Sequence, residues 1–174
     1  DKKGNEIYEA VRNLFVLLQL DSQNQGKKSW NPLGEYIKPG QTVLLKPNLV
    51  SHYNQAETDM VRGMECLVTH PSVVRCIFDY VYIALKGKGK IIVADAPIQG
   101  CDFEKLLQNT GYGKLISYLQ KKATESLVVQ AADLREVTYV KTAGGIVQKE
   151  RKETSFGSKT VDLKTDSFFE GIKN

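Results

Sequence analysis

Five polar residues of this chain stand where an open parallel sheet does its chemistry: Lys46, Asn48, Thr69, His70 and Asp95. Each falls at the carboxyl end of an expected strand or at the start of an expected helix. Loops diverge there and helix N-termini point inward, so ligands gather in that crevice. Lys46 supplies a positive charge, and a helix N-terminus at Thr69 and His70 adds N–H groups and a dipole that favour an anion such as a phosphate or carboxylate. Asn48 can orient that anion by hydrogen bonds. Asp95 can hold a divalent metal, act as a general base or partner a substrate hydroxyl, and His70 can share the first two tasks. Each residue also has a plainer role: Lys46 as a snorkelling strand end, Thr69 or His70 as a helix cap, and Asp95 before Ala96-Pro97 as a turn.

Other candidates carry less. His52 lies in a long connection where exposure is the usual reason for a histidine, and Asp133 with Arg135 reads as a surface ion pair at a turn. Gly87-Lys88-Gly89-Lys90 precedes a strand instead of joining a strand to a helix, so it lacks the geometry of a phosphate loop. No Gly-x-Gly-x-x-Gly, Gly-x-Ser-x-Gly, His-Glu-x-x-His or calcium-loop pattern occurs. The cysteines, Cys66, Cys76 and Cys101, are widely spaced and odd in number. They point to reduced thiols and a cytoplasmic protein, not to a disulfide framework or a cysteine-held metal.

The elements that must position the five residues are legible from pattern. Thr42 to Lys46 is a β-branched and apolar run opened by Pro39-Gly40 and closed by Pro47, which predicts a buried strand. Pro71 suits a first helical turn, and Val73, Val74, Ile77, Phe78, Val81, Ala84 and Leu85 keep a 3.6-residue period until Gly87. Lys90 to Ala94 is a second strand, and the length of the crossover makes the two strands parallel. The connection from Asn48 to Thr69, about twenty residues without strand pattern, is of a length more often functional than idle.

Around this βαβ unit, Glu6 to Leu20 predicts a helix with Ile7, Val11, Leu14, Phe15 and Leu18 on one apolar stripe. Asp21 to Gly34 reads as a surface loop with Trp30 folded back. Asp102 caps a helix through Leu107 that Gly111 ends, and Tyr112 to Lys122 forms another on Leu115, Ile116 and Leu119. Ser126 to Gln130 and Glu136 to Thr142 are short strands, the latter turned by Gly144-Gly145 into Ile146 to Lys149 as a hairpin. Arg151 to Asn174 is polar apart from Val161, Leu163 and Phe168-Phe169, as though the fold were cut short.

Three of these segments carry a family resemblance. Val43-Leu44-Leu45-Lys46-Pro47-Asn48-Leu49-Val50, Thr69-His70-Pro71-Ser72-Val73-Val74-Arg75 and Ile91-Ile92-Val93-Ala94-Asp95-Ala96-Pro97 together resemble the signature of domain of unknown function family 362. The likeness runs from about Ile37 to Tyr112 and continues faintly at Asp133-Leu134-Arg135 and Asp166 to Phe169. It is similar to the branch found among bacterial polysaccharide-synthesis genes. The resemblance implies an α/β fold and leaves the activity open. Family members commonly continue into Leu-Lys-Thr-His and Leu-Lys-Asn segments, and some bear ferredoxin-type cysteine clusters; this sequence has none of these.

With 174 residues, 41% of them hydrophobic and 25% charged, the chain is expected to form a single α/β domain over 1–174: a Rossmann-like, three-layer parallel-sheet core at 37–130, then a hairpin and an incomplete part at 131–174. The net charge of +4 is scattered, so no nucleic acid is expected as a partner, and no apolar run approaches a membrane span. Two functions compete. One is an enzyme binding a small anionic molecule at the strand ends, with a divalent metal on Asp95 as the cofactor to test and no iron–sulfur cluster. The other is a docking or electron-transfer module whose protein partner meets Met60, Val61 and Met64 in the long connection.

Overall fold

The computed structural model describes residues 4–59, 61–150 and 161–164. In chain order they form helix α1 (Glu6–Leu17), strand β1 (Thr42–Leu45), helix α2 (Pro71–Leu85), strand β2 (Gly89–Asp95), helices α3 (Phe103–Asn109) and α4 (Tyr112–Lys122), and strands β3 (Leu127–Asp133), β4 (Val137–Thr142) and β5 (Gly145–Glu150). The expectations for Arg151–Thr160 and for Thr165–Asn174, including Phe168-Phe169, lie outside the described residues.

β1, β2 and β3 make one parallel sheet in that order, with Val43 opposite Ile91, Leu45 opposite Val93 and Asp95 opposite Asp133. β1 and β2 therefore run side by side in the same direction, as the helical crossover requires. β1 was expected to be buried but lies at the edge of the described sheet, paired on one side alone, and Leu44 is 50% exposed. β3 extends three residues beyond the expected Gln130 and ends on Asp133. It pairs with β2 rather than with the hairpin, which β4 and β5 form alone.

One sheet face carries the core. Ile91, Leu127 and Val129 pack against Phe78, Val81 and Leu85 of α2 and Leu119 of α4, while Val93 meets Leu106, Tyr112 and Ile116. Burying a side chain such as Leu85 or Leu106 contributes about 1.5–3 kcal/mol. On the opposite face Ile92, Ala94 and Ala132 form a small cluster with Leu134, and no described helix joins it.

α2 occupies the residues that its periodicity predicts, because His70 caps it, Pro71 fits its first turn and Lys86 ends it in a left-handed conformation at φ 52°. The glycines that follow serve β2. Gly89 sits at φ 123°, and a Cβ there would lie 2.4 Å from the carbonyl oxygen of Gln41, so the start of β2 closes on the turn before β1 only with glycine.

α1 is shorter than its apolar stripe suggests. It ends at Leu17, and while Val11 and Phe15 are buried against Cys76 and Tyr80 of α2, Leu14 and Leu18 are exposed. α2 and the loop residues Leu20, Trp30 and Leu33 cover a narrow seam, and Leu14 and Leu18 are left outside it. Trp30 does fold back: its indole N–H donates to the Leu20 carbonyl at 3.0 Å and its ring meets Tyr80 edge-on.

Candidate functional site

Asp95 stands at the carboxyl end of β2 with its carboxylate nearly enclosed. The Lys46 ammonium reaches its Oδ1 at 2.8 Å, the Ala96 N–H donates to the same oxygen at 2.9 Å, and the Leu49 N–H donates to Oδ2 at 2.7 Å. Burial pushes the carboxyl upward, but Lys46 and the Leu49 and Ala96 N–H groups together outweigh it and hold the group below the usual carboxylate range. Asp95 is therefore an ionised anchor and a weak base. The two partners differ in exposure: the Lys46 side chain is 55% exposed and that of Asp95 10%. An ammonium has three donors, so Lys46 keeps hydrogen-bonding capacity on its solvent side.

Thr69 and Asn48 are tied directly. Asn48 N–H donates to the Thr69 hydroxyl at 3.0 Å, and Thr69 N–H donates to the Asn48 carbonyl at 2.8 Å. The Thr69 hydroxyl keeps its own proton for another acceptor, and the Thr69 carbonyl accepts from the buried Tyr112 hydroxyl at 2.8 Å. The long connection is thus pinned at its two ends, where Leu49 and Val68 also bridge as a short antiparallel pair. Lys46, Asn48, Thr69 and Asp95 share one hydrogen-bonded junction.

His70 lies beside it in sequence, but its Nδ1 turns to Ser72, accepting from the backbone N–H at 3.3 Å and contacting the hydroxyl at 2.6 Å. The helix start offers less to an anion than its sequence promises. Pro71 has no N–H, the Ser72 N–H is taken by the His70 ring, and the Val73 N–H goes to the His70 carbonyl at 3.0 Å. The positive charge on this edge comes from Lys46, not from open helix donors.

A second ion pair follows one strand over, and here the expectation of a surface pair is overturned. Asp133 and Arg135 are 1% and 6% exposed. Arg135 Nη2 meets Asp133 Oδ2 at 2.6 Å, and its remaining donors reach the carbonyls of Ile98 at 3.0 Å and Cys101 at 2.9 Å. The pair is buried because the loop that leaves β2 lies over it, with the Ile98 and Cys101 carbonyls on the guanidinium. Only the structure shows that Asp133 ends a third parallel strand, in register with Asp95.

His52 is likewise not simply exposed. Its Nδ1 accepts from the Asp102 N–H at 3.0 Å and its carbonyl from the Asn109 carboxamide at 2.9 Å, so it staples the long connection to α3. Burial lowers its pKa, with Asp102 opposing and Lys105 adding to the effect. Of the residues expected to meet a partner, Met64 is 5% exposed and belongs to the core, Val61 is 48% exposed, and Met60 lies outside the described residues.

The family model for a domain of unknown function, DUF362, matches residues 43–161, which include the junction and both ion pairs. The chain belongs to DUF362. Within curated proteins, it is similar to a thylakoid-associated protein of Synechocystis sp., 34% identical over 87 residues. That match covers 50% of this chain and 23% of the relative, so the chain spans about a quarter of the relative's length. No solved structure matches. Within DUF362, the segments around Lys46, Thr69 and Asp95 meet at this junction, while the His70 ring turns to Ser72. No helix among the described residues is long and apolar enough to cross a membrane.

Proposed function

We propose that this DUF362 chain forms part of an enzyme site for a small anionic molecule at the carboxyl edge of its parallel sheet. The observation that supports this most is the asymmetric pair in which a nearly enclosed, ionised Asp95 holds a half-exposed Lys46 at 2.8 Å. A buried counter-ion fixes the ammonium in place and orients its outward donors before any ligand arrives. Asn48 and the Thr69 hydroxyl add neutral hydrogen bonds beside it, and His70 is the group best suited to move a proton, since Asp95 is held too acidic to serve as a base. The parallel order of the strands and the position of the site support the Rossmann-like reading of the sheet.

A divalent metal fits these residues poorly. Asp95 would have to release Lys46 to take it, and among the described residues no three His, Cys, Asp or Glu side chains gather to hold a metal. Sugar phosphates are the first ligands to try, because the motifs resemble the branch associated with polysaccharide synthesis. The free thiols of Cys66, Cys76 and Cys101 support a reducing, cytoplasmic setting.

Isothermal calorimetry on the full-length protein tests the reading with hexose phosphates as titrants. Lys46→Ala is expected to weaken binding at least tenfold, about 1.4 kcal/mol, at unchanged fold. Unaltered affinity in that variant would show that the ammonium does not hold the anion.

A further inference from the structure

α4 buries Tyr112, Ile116 and Leu119 and turns its other face to solvent, where a groove of 520 Å³ runs between it and α3. Gln108, Gly113, Lys114, Ser117, Tyr118 and Lys121 line that groove. Lys114 and Lys121 are exposed and seven residues apart, which places them on one face with about 10.5 Å of axial rise between them. No carboxylate is among the described lining residues, and neither lysine forms an ion pair with a described residue, whereas Lys105 on α3 is paired with Asp102.

The stability of α4 does not account for both charges. Lys121 in the last turn suits the helix dipole, but Lys114 in the first turn opposes it, and Gly111 caps that end without a side chain. Between the lysines the surface is apolar. Tyr118 is 48% exposed, and the Arg75 guanidinium, held by Asp79 at 3.1 Å, lies 5.0 Å from its ring centroid. The ring is thus supported from one side and offers ordered contact area to an incoming side chain.

We infer that this groove docks an acidic amphipathic helix of a protein partner, with apolar side chains on Tyr118 and carboxylates on Lys114 and Lys121. The match is one of charge and of spacing: glutamates seven residues apart on the incoming helix recur at the same rise as the two lysines. The apolar surface lies between two helices, where the stripe of a third can settle, and Gln108 and Ser117 supply neutral hydrogen bonds at the rim. A lipid surface would meet the lysines but would leave the space between the helices unfilled.

Fluorescence anisotropy on the full chain tests this with a labelled helical peptide that has leucines on one face and glutamates seven residues apart along its edge. Saturable binding is expected, about tenfold or more tighter than that of the same peptide with lysine in place of glutamate. Lys114→Glu combined with Lys121→Glu should weaken the acidic peptide at least about tenfold and raise the lysine peptide to comparable affinity. Both positions are exposed and Lys114→Glu agrees with the helix dipole, so circular dichroism should show an intact fold. Tyr118→Ala should also weaken the acidic peptide, and Lys28→Glu, outside the groove, should not. The inference is overturned if the acidic peptide does not saturate, if reversing the two lysines leaves its preference unchanged, or if phosphatidylglycerol vesicles depend on those lysines and the peptide does not.

Discussion

Two aspartates end neighbouring strands in register, Asp95 on β2 and Asp133 on β3, and each holds one basic side chain. Asp133 grips Arg135 in a buried setting where the guanidinium also donates to the carbonyls of Ile98 and Cys101. Asp95 grips a lysine that remains 55% exposed. The same chemistry serves two purposes because of what lies outside the cation. Arg135 clamps the loop that leaves β2, and under the proposed function Lys46 presents its charge to an anion. The planar fork of arginine suits several fixed acceptors, while lysine suits one anchor and one visitor.

The largest effect should come from the buried pair. Arg135→Ala leaves Asp133 buried without its guanidinium and the two loop carbonyls without donors, and should lower unfolding free energy by about 3–5 kcal/mol in chemical denaturation. A loss of under about 1 kcal/mol would erase the contrast between the pairs. Asp95→Ala should follow at about 1–3 kcal/mol, since the buried Leu49 N–H then loses its acceptor.

Acid sharpens the comparison. The pKa of folded Asp95 is lowered, so its contribution is present above the ordinary carboxylate value of about 3.9 and is lost as pH falls through the lower folded value. His52 acts higher on the scale. Its folded pKa is also lowered, so the unfolded chain binds more protons, and stability should be full above about pH 6.5 and decline as pH falls through the folded value. Denaturation midpoints of wild type and His52→Ala, compared between pH 7.5 and 5, should converge at the acid end. Parallel curves would remove the histidine from the account.

Smallest is the expected stability change for Lys46→Ala, about 0–1 kcal/mol, because a half-exposed ion pair is screened by solvent. A loss as large as that of Arg135→Ala would make Lys46 another structural clamp.

Much of this was legible in the residues. Thr42 to Lys46, Pro71 to Leu85 and Lys90 to Ala94 each carry a local pattern bounded by proline or glycine, so the strands, the crossover helix and the parallel pairing of β1 with β2 followed, while the place of β3 beside β2 did not. What failed was long-range. Nothing near Asp133-Leu134-Arg135 says that the loop after β2 folds over it, because that burial comes from residues more than thirty positions away. His70 illustrates the reverse: proline at the first helical position signals the cap, and that same cap removes the N–H groups that an anion needs. Leu14 and Leu18 kept a helical period yet are exposed, so the stripe was real and its burial stopped at Val11 and Phe15.

The central claim is that the cation on Asp95 faces a ligand while the cation on Asp133 faces only protein. A crystal structure of the full-length protein soaked with a hexose phosphate tests it most directly. The account predicts phosphate oxygens within hydrogen-bonding distance of Lys46 Nζ, with Arg135 still closed over Asp133. A structure in which Lys46 is covered by protein, or in which the phosphate binds elsewhere and leaves the Lys46 ammonium untouched, would contradict it.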